Sequence, residues 1–529
     1  ENHSESWKRQ QWKKHRQNLF RLQRRVYKAV QAGDLKKARS LQKLILKSRA
    51  AQLLAIRQVT QLNKGKKTAG VDGKSSLNYR ERMELAEALN HCGSDWHHSG
   101  LRKVPIKKKN GKTRMLKIPT IADRAWQCLI KFALEPAHEA TFSAHSYGFR
   151  TGRSAQDAQK QLFNNLRSCS NGNTKRIIEL DIKKCFDRIN HTCIMNALIA
   201  PNSIKQGVFR CLKAGINPEF PVQGTPQGGV VSPLLANVAL NGIEDIHTCI
   251  RYADDMVYVL KPKDDADLIL TKVKKFLAER GMEISEEKTK LTKTTDGFDF
   301  LGWHFKVIEK TGKFNCTPSK ENYEAFRKKV KAVVNCSYYG AEVKAKKLAP
   351  LVRGWRNYHK YCDMSSGKNR LWFMDEAARQ KFIKEKKVDR YKAIELCNKA
   401  FPKVGYAQNK HVKVRGTKSP YDGDLVYWSK RNSNLYSDAT SEALKKQNHS
   451  CGHCGLKFLE GESVHLHHID GNHDNWQKKN LLAVHQSCHQ QIHWSVTETP
   501  EEPTFNNEQK GTGKTAKNNA QKHRCKSES

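Results

Sequence analysis

An α+β multidomain fold is predicted by three observations. Two strand-like runs rich in β-branched residues, Arg176-Ile177-Ile178-Glu179-Leu180-Asp181-Ile182 and Ile250-Arg251-Tyr252-Ala253-Asp254-Asp255-Met256-Val257-Tyr258-Val259, sit mid-chain. Segments on either side carry apolar residues at helical spacing among many cations. A C-terminal segment is crowded with Cys and His. At 529 residues the chain has room for about three or four domains.

Composition narrows the class. Lys plus Arg number 96 against 52 Asp plus Glu, a formal charge of +44, so the folded chain repels itself unless a polyanion neutralises it. A large structured RNA fits, although charge alone does not separate RNA from DNA or a membrane surface. No apolar stretch approaches the ~20 residues of a membrane span and no charged-then-apolar leader opens the chain, so a soluble cytoplasmic protein is expected, with no membrane contact. Of fifteen cysteines only Cys451-Gly452-His453-Cys454 has ligand spacing, which points to reduced thiols plus one metal knuckle.

Taken in order, the first ~60 residues read as basic amphipathic helix. Leu19, Leu22, Val26 and Val30 recur on one face, Gly33-Asp34 punctuates, and a second helix is expected from about Leu35 to Val59. A glycine turn follows at Thr68-Ala69-Gly70-Val71-Asp72-Gly73. Lys107 to Arg114 forms a basic hairpin with Asn110-Gly111 at its tip, and cations on both arms could grip a triphosphate. Adjacent Asp254 and Asp255 repel one another. An isolated pair of this kind usually marks a solvated turn, but in an apolar hairpin, with Asp181 on a second strand, three carboxylates can hold two Mg²⁺ ions as phosphoryl transfer requires. Beyond Trp303 the pattern turns helical, with Leu348, Val352, Trp355 and Tyr358 on one face and Arg353, Arg356 and His359 between them. From about Phe401 to Lys446 the chain reads as short-stranded and polar, its aromatics interleaved with cations as nucleic-acid stacking prefers. Cys451, Cys454, His485 and Cys488 would close a tetrahedral structural Zn²⁺ site.

These blocks resemble a known family. Tyr252-Ala253-Asp254-Asp255 resembles the catalytic box of reverse transcriptases, and Asp181 with Phe186 resembles the first palm motif. Gly224-Thr225-Pro226-Gln227-Gly228-Gly229 resembles the Pro-Gln-Gly block, and Arg114 to Thr120 with Asp123-Arg124 resembles the fingers block. Phe142 to Arg150, Glu279 to Lys290, Phe298 to Trp303 and the thumb-like Arg353-Gly354-Trp355-Arg356-Asn357-Tyr358-His359 follow the family's order. From about Trp7 to about Trp494 the chain is similar to the reverse transcriptase/maturase encoded within bacterial group II introns. Met115 and Lys117 stand where that family usually has proline and glycine, and His485 where it often has cysteine.

The resemblance implies a right-hand polymerase plus a small ββα-metal HNH nuclease. Fingers and palm with a basic helical extension would occupy 1–305, the helical thumb or maturase X domain 306–400, a DNA-binding region 401–446, the nuclease with its zinc knuckle 447–495, and a disordered tail 496–529. It implies catalytic, Mg²⁺-binding Asp181, Asp254 and Asp255, phosphate contacts from Lys108 and Arg114, a ribose-excluding ring at Phe186, and nucleotide or template contact by Gln227. An ordinary core phenylalanine remains the plain reading of Phe186. In the nuclease, His467, His489 and His493 would hold a divalent metal, His468 would deprotonate water, and Asn480 would steady the loop that orients it. The implied activities are RNA-directed DNA polymerase, maturase and HNH endonuclease, joined in target-primed reverse transcription during intron mobility. The implied partners are group II intron RNA in a ribonucleoprotein, target DNA and dNTPs. An RNA-binding splicing chaperone with decayed enzymatic activity is the alternative, against which the intact aspartates and histidines count.

Overall fold

The computed structural model describes residues 6–7, 9–90, 95–107, 113–215, 221–226, 228–385, 388–433, 436, 438–458, 464–473, 475–486, 488–489 and 492. They fall into two compact units, Glu1–Asp422 and Gly423–Ser529. The expected tail 496–529 lies outside the described residues, and none of the described helices is long and apolar enough to cross a membrane.

The first unit opens with helices Trp12–Gln31 and Leu35–Lys47. Gly33, at φ 75°, ends the first, and the Asp34 carboxylate starts the second by accepting from the Lys37 N–H at 2.9 Å. The expected continuous helix to Val59 instead breaks at Ser48, which is extended, and resumes as Arg49–Arg57. Leu19, Val26 and Val30 are buried, as their spacing requires, and the hairpin packs on helix Ile121–Glu139. There the buried Gln42 amide donates to the carbonyls of Ala133 and Ile199. Arg21, Arg25, Lys28, Lys36, Lys37 and Arg39 stay exposed. The basic hairpin forms as β1 (Arg102–Lys107) and β2 (Thr113–Ile118), antiparallel, with its tip outside the described residues.

The central sheet joins β3 (Arg176–Leu180), β4 (Cys249–Tyr252), β5 (Asp255–Leu260) and β6 (Lys290–Lys293) in the order β4-β5-β3-β6, every pair antiparallel. Side chains alternate across it. Ile178, Leu180, Met256, Tyr258 and Leu260 enter one core, with the helices around Ile121–Glu139. Ile177, Ile250, Val257 and Val259 enter a second. Burial on both faces explains why β5 reads as a nearly unbroken apolar run.

The second core is shared with β7 (Phe298–Phe300), β8 (Trp303–Val307) and β9 (Phe314–Pro318), and with helices Lys320–Val334, Ala341–Tyr358, Trp372–Ile383 and Arg390–Ala400. The expected apolar face of the thumb helix is present, since Leu348 and Val352 are fully buried. Two of the cations that lie between those apolar positions in the sequence do not face outward. Arg356 is buried and donates to the carbonyls of Phe401, Pro402 and Arg370. His359 is buried beside Trp355, and both donate to the Asn322 amide oxygen, at 3.1 and 2.9 Å. Near the helix C-terminus Arg356 thus ties down the segments that follow, and His359 and Trp355 hold the helix Lys320–Val334 that precedes.

Residues 402–419 form an irregular strap, and Pro420–Asp422 a single turn. The short strands expected over 401–446 do not form among the described residues, because this backbone is satisfied by side chains rather than by a ladder. Asp157 accepts from the Val414 N–H and from His411, Arg153 donates to the carbonyls of Gly416 and Lys418, and Lys160 to that of Asn409. Tyr421 closes the strap on Glu135. The break between the two units, after Asp422, falls inside the 401–446 segment.

The second unit contains helices Leu425–Ser433 and Asp438–Lys446 and the antiparallel hairpin β10 (Val464–His468) and β11 (Leu481–His485).

Burial lowers the His359 pKa to about 3 from its ordinary 6.5. The unfolded chain therefore takes up a proton below pH 6.5 that the folded chain refuses, and stability is lost as pH falls from 6.5 toward 3, by about 2 kcal/mol at pH 5 from this residue. Urea unfolding of His359→Gln at pH 7.5 and pH 5 should show a shallower acid loss than the parent protein, whatever the absolute stability of the variant.

Candidate active site

Strand β4 reaches the metal-box turn with Tyr252 opposite Asp255, leaving Ala253 and Asp254 to span the gap, Ala253 at φ 60°. For a residue with a Cβ that conformation costs about 1–2 kcal/mol. It is held by its surroundings. The Arg251 guanidinium, fully buried, forms an ion pair with Glu244 at 2.6 Å and donates to the Asn237 side-chain oxygen at 2.8 Å and to the Ala253 carbonyl at 3.0 Å. The Asn237 amide in turn donates to the Gly148 carbonyl at 2.9 Å. Segment Phe142–Arg150 runs along β4, the Tyr147 N–H donating to the Arg251 carbonyl at 2.9 Å and the Arg251 N–H to that of His145 at 3.0 Å. A Cβ on Gly148 would overlap the backbone nitrogen of Ala253. The turn therefore rests directly on glycine backbone.

Strand β3 delivers Asp181 to this turn. Leu180 pairs with Met256, so the next residue lies beside the Asp254-Asp255 end of the hairpin. The segment after helix Ala266–Ala278 runs antiparallel beside it, the Ser285 N–H donating to the Asp181 carbonyl at 2.8 Å and Lys288 Nζ to Asp181 Oδ2 at 2.9 Å. Asp255 is exposed at the start of β5, and its carboxyl is nevertheless raised, by the packed strand end around it and by the Asp254 and Asp181 charges, against the pull of Lys288. The three carboxylates share one end of the sheet, although their oxygens are not all drawn within 4.8 Å of one another. As hard oxygen donors they suit Mg²⁺.

Phe186, on the short helix Cys185–Arg188, is half-buried, and its ring meets Phe149 edge-on at 6.2 Å and 78°. Its carbonyl accepts from the Thr225 N–H at 2.7 Å, which ties the Pro-Gln-Gly loop to this helix. Gly224 and Gly228 have φ of 95° and 124°, and a Cβ on Gly228 would sit 2.8 Å from the Lys117 carbonyl oxygen of β2. The loop thus approaches the expected fingers hairpin through backbone, as its glycines suggest. Lys108 and Gln227 lie outside the described residues, as does the side chain of Arg114.

Comparison with known proteins accords with this arrangement. The family described as reverse transcriptase (RNA-dependent DNA polymerase) matches residues 106–305, and the N-terminal domain of reverse transcriptase matches 7–89. The group II intron maturase-specific domain matches 323–394. Maturase-like protein 1 of Euglena gracilis is 39% identical over 455 residues, covering 85% of this chain and 96% of its own length. The chain belongs to the group II intron-type reverse transcriptase/maturase family. Group II intron-encoded protein LtrA of Lactococcus lactis subsp. cremoris is 27% identical over 336 residues, 47% of this chain and 55% of that one. A telomerase structure from Candida albicans matches with a TM-score of 0.31 and 13% identity over 58% of this chain and 62% of that one. In this maturase family member, the matched reverse transcriptase segment contains all three aspartates and Phe186.

The second unit brings Cys451, Cys454, His485 and Cys488 together, with ligand atoms all within 4.8 Å of one another. Among the described residues it is the one group of three or more such side chains drawn that close. Burial pushes the Cys451 thiol up, but hydrogen bonds from the His485 side chain and the backbone N–H groups of Cys454, His485 and His453 outweigh it and leave the thiol lowered, ready to act as thiolate. Three sulfurs and an imidazole suit Zn²⁺. On β10, His467 lies with its ring 5.6 Å from that of His489, and His465 lies 5.5 Å from the same ring. His493 is outside the described residues. The His468 Nδ1 lies 3.1 Å from the Asn475 carbonyl, and the Asn480 amide donates to that same carbonyl at 2.9 Å and to Asp470 at 2.8 Å. Asn480 thus braces the loop that orients His468.

Nothing local in the sequence marks Arg251, Glu244, Asn237 and Gly148 together as a brace, because the four come together only through the fold. The one signal was an arginine inside an otherwise apolar strand, which burial obliges to find a partner. Replacing it leaves Glu244 buried without a countercharge, so Arg251→Leu should lower the free energy of unfolding by about 3–5 kcal/mol in urea titration, and Arg251→Leu with Glu244→Leu should recover part of that loss.

Proposed function

We propose that this maturase family member is an RNA-directed DNA polymerase that also promotes splicing of its intron RNA and carries a C-terminal HNH endonuclease, the three serving target-primed reverse transcription. The observation that carries the polymerase reading is the pairing of β3 with β5, which sets Asp181 beside Asp254 and Asp255. Mg²⁺ held by these carboxylates would lower the pKa of a primer 3′ hydroxyl and neutralise the departing pyrophosphate. Phe186 bars a ribose 2′ hydroxyl, Lys108 and Arg114 contact the nucleotide phosphates, and Gln227 lies against nucleotide and template. The exposed cations of the N-terminal helices meet RNA phosphates.

In the C-terminal unit, Cys451, Cys454, His485 and Cys488 would hold structural Zn²⁺, and His467, His489 and His493 would hold a divalent ion that polarises a phosphodiester when bound. A proton on His468 Nδ1, shared with the Asn475 carbonyl, leaves Nε2 as the base for the attacking water. Asn480 keeps that carbonyl in place.

Primer extension on an RNA template with dNTPs and Mg²⁺ tests the first activity: the unmodified protein should extend the primer and Asp254→Ala should lose at least about 10³-fold. Equal activity in both proteins would sink the assignment. For the second activity, incubation of the protein bound to its intron RNA with labelled target duplex should yield a nick in one strand. His468→Ala should abolish the nick yet extend primers like the parent, and a nick that persists removes His468 from the reaction.

A further inference from the structure

Phe149 stands at the catalytic end of the sheet in a backbone conformation that bulky side chains avoid, at φ 60°, with 48% of its surface exposed. Its neighbours leave it no alternative. Gly148 is locked under Ala253 and accepts from Asn237. Arg150 is buried with Nε and Nη2 on Glu139, at 2.9 Å each, while Nη1 donates to the carbonyls of Ser143 and Ser146. Between these two anchors the Phe149 ring projects into solvent, where a phenylalanine gains little from burial. Its ring lies 6.2 Å from that of Phe186, the two planes at 78°. A half-exposed ring on strained backbone is poorly explained by stability and points to the site it adjoins.

We infer that Phe149 is a positioning residue for sugar discrimination, its ring, set nearly perpendicular to that of Phe186, fixing the Phe186 ring so that the apolar wall facing the nucleotide sugar cannot yield to a 2′ hydroxyl. This rests on the polymerase reading above. The preference of aromatic pairs for a T-shaped arrangement holds the orientation of Phe186 against the half-exposed Phe149 ring. The core side of Phe186 is already supported, since it packs against the buried cluster beneath the sheet. Losing Phe149 would let the gate swing outward.

The test uses the full-length protein on an RNA template with a DNA primer, measuring kcat/KM for one dNTP and for the matching NTP. An apolar wall rejects an added hydroxyl by roughly 10²-fold. Phe149→Ala should give up about tenfold of that preference, mainly through a rise in kcat/KM for the NTP, and Phe149→Tyr, which keeps the ring edge, should restore it. Phe186→Ala should lower the preference further, and adding Phe149→Ala to it should change nothing more, because both act through one ring. Should Phe149→Ala fail to fold, Phe149→Leu, which keeps bulk without the aromatic edge, should still lose about threefold. A proportional loss of dNTP and NTP use in these variants, with the ratio unchanged, overturns the inference alone. Absence of extension by the unmodified protein overturns the polymerase reading and this inference with it.

Discussion

The antiparallel register of β3 on β5 is the constraint from which the rest of the first unit follows. A slip of one residue would invert every side chain on β3, moving Ile178 and Leu180 out of one core and Ile177 out of the other. Because both faces of the sheet are buried, neither core tolerates that slip, and the placement of Asp181 against the Asp254-Asp255 turn is specified by apolar packing rather than by the acidic groups. The carboxylates repel one another, and the Asp254 and Asp181 charges add to the loss of hydration that raises Asp255. Hydrophobic burial holds together what electrostatics alone would separate.

A second layer of support lies behind the turn. The buried Arg251–Glu244 pair, Asn237 and the Gly148 backbone form one hydrogen-bonded unit linking the hairpin, the helix Ser232–Leu240 and the segment that precedes β3. Ala253, Phe149 and Lys184 all take left-handed backbone in this neighbourhood. Strain of that kind persists only where the surroundings over-determine it.

Much of this was legible in the chain. The order of the blocks, the two strand runs, the punctuation at Gly33-Asp34 and the apolar face Leu348-Val352-Trp355 all find their places, because each depends on local periodicity or turn chemistry. What escaped depends on long-range pairing. Arg356 and His359 look like surface cations on a helical wheel, yet carbonyls contributed by Phe401, Pro402 and Arg370, and the Asn322 side chain, draw them inward. The strap after Phe401 has aromatic and β-branched content that suggests strands, but Asp157, Arg153 and Lys160 take its backbone groups one by one. In the second unit the grouping of Cys451, Cys454, His485 and Cys488 was legible from spacing, whereas the proximity of His465 to His489 depends on the fold of the unit.

That strap bears on how the protein is made. Tyr421 and His411 close against Glu135 and Asp157, side chains synthesised more than two hundred residues earlier. As the chain leaves the ribosome at about 5–20 residues per second, the buried carboxylates of Glu135 and Asp157 wait on the order of ten seconds or more for their final partners. Nascent chains halted short of residue 411 therefore carry a body whose seam is still open.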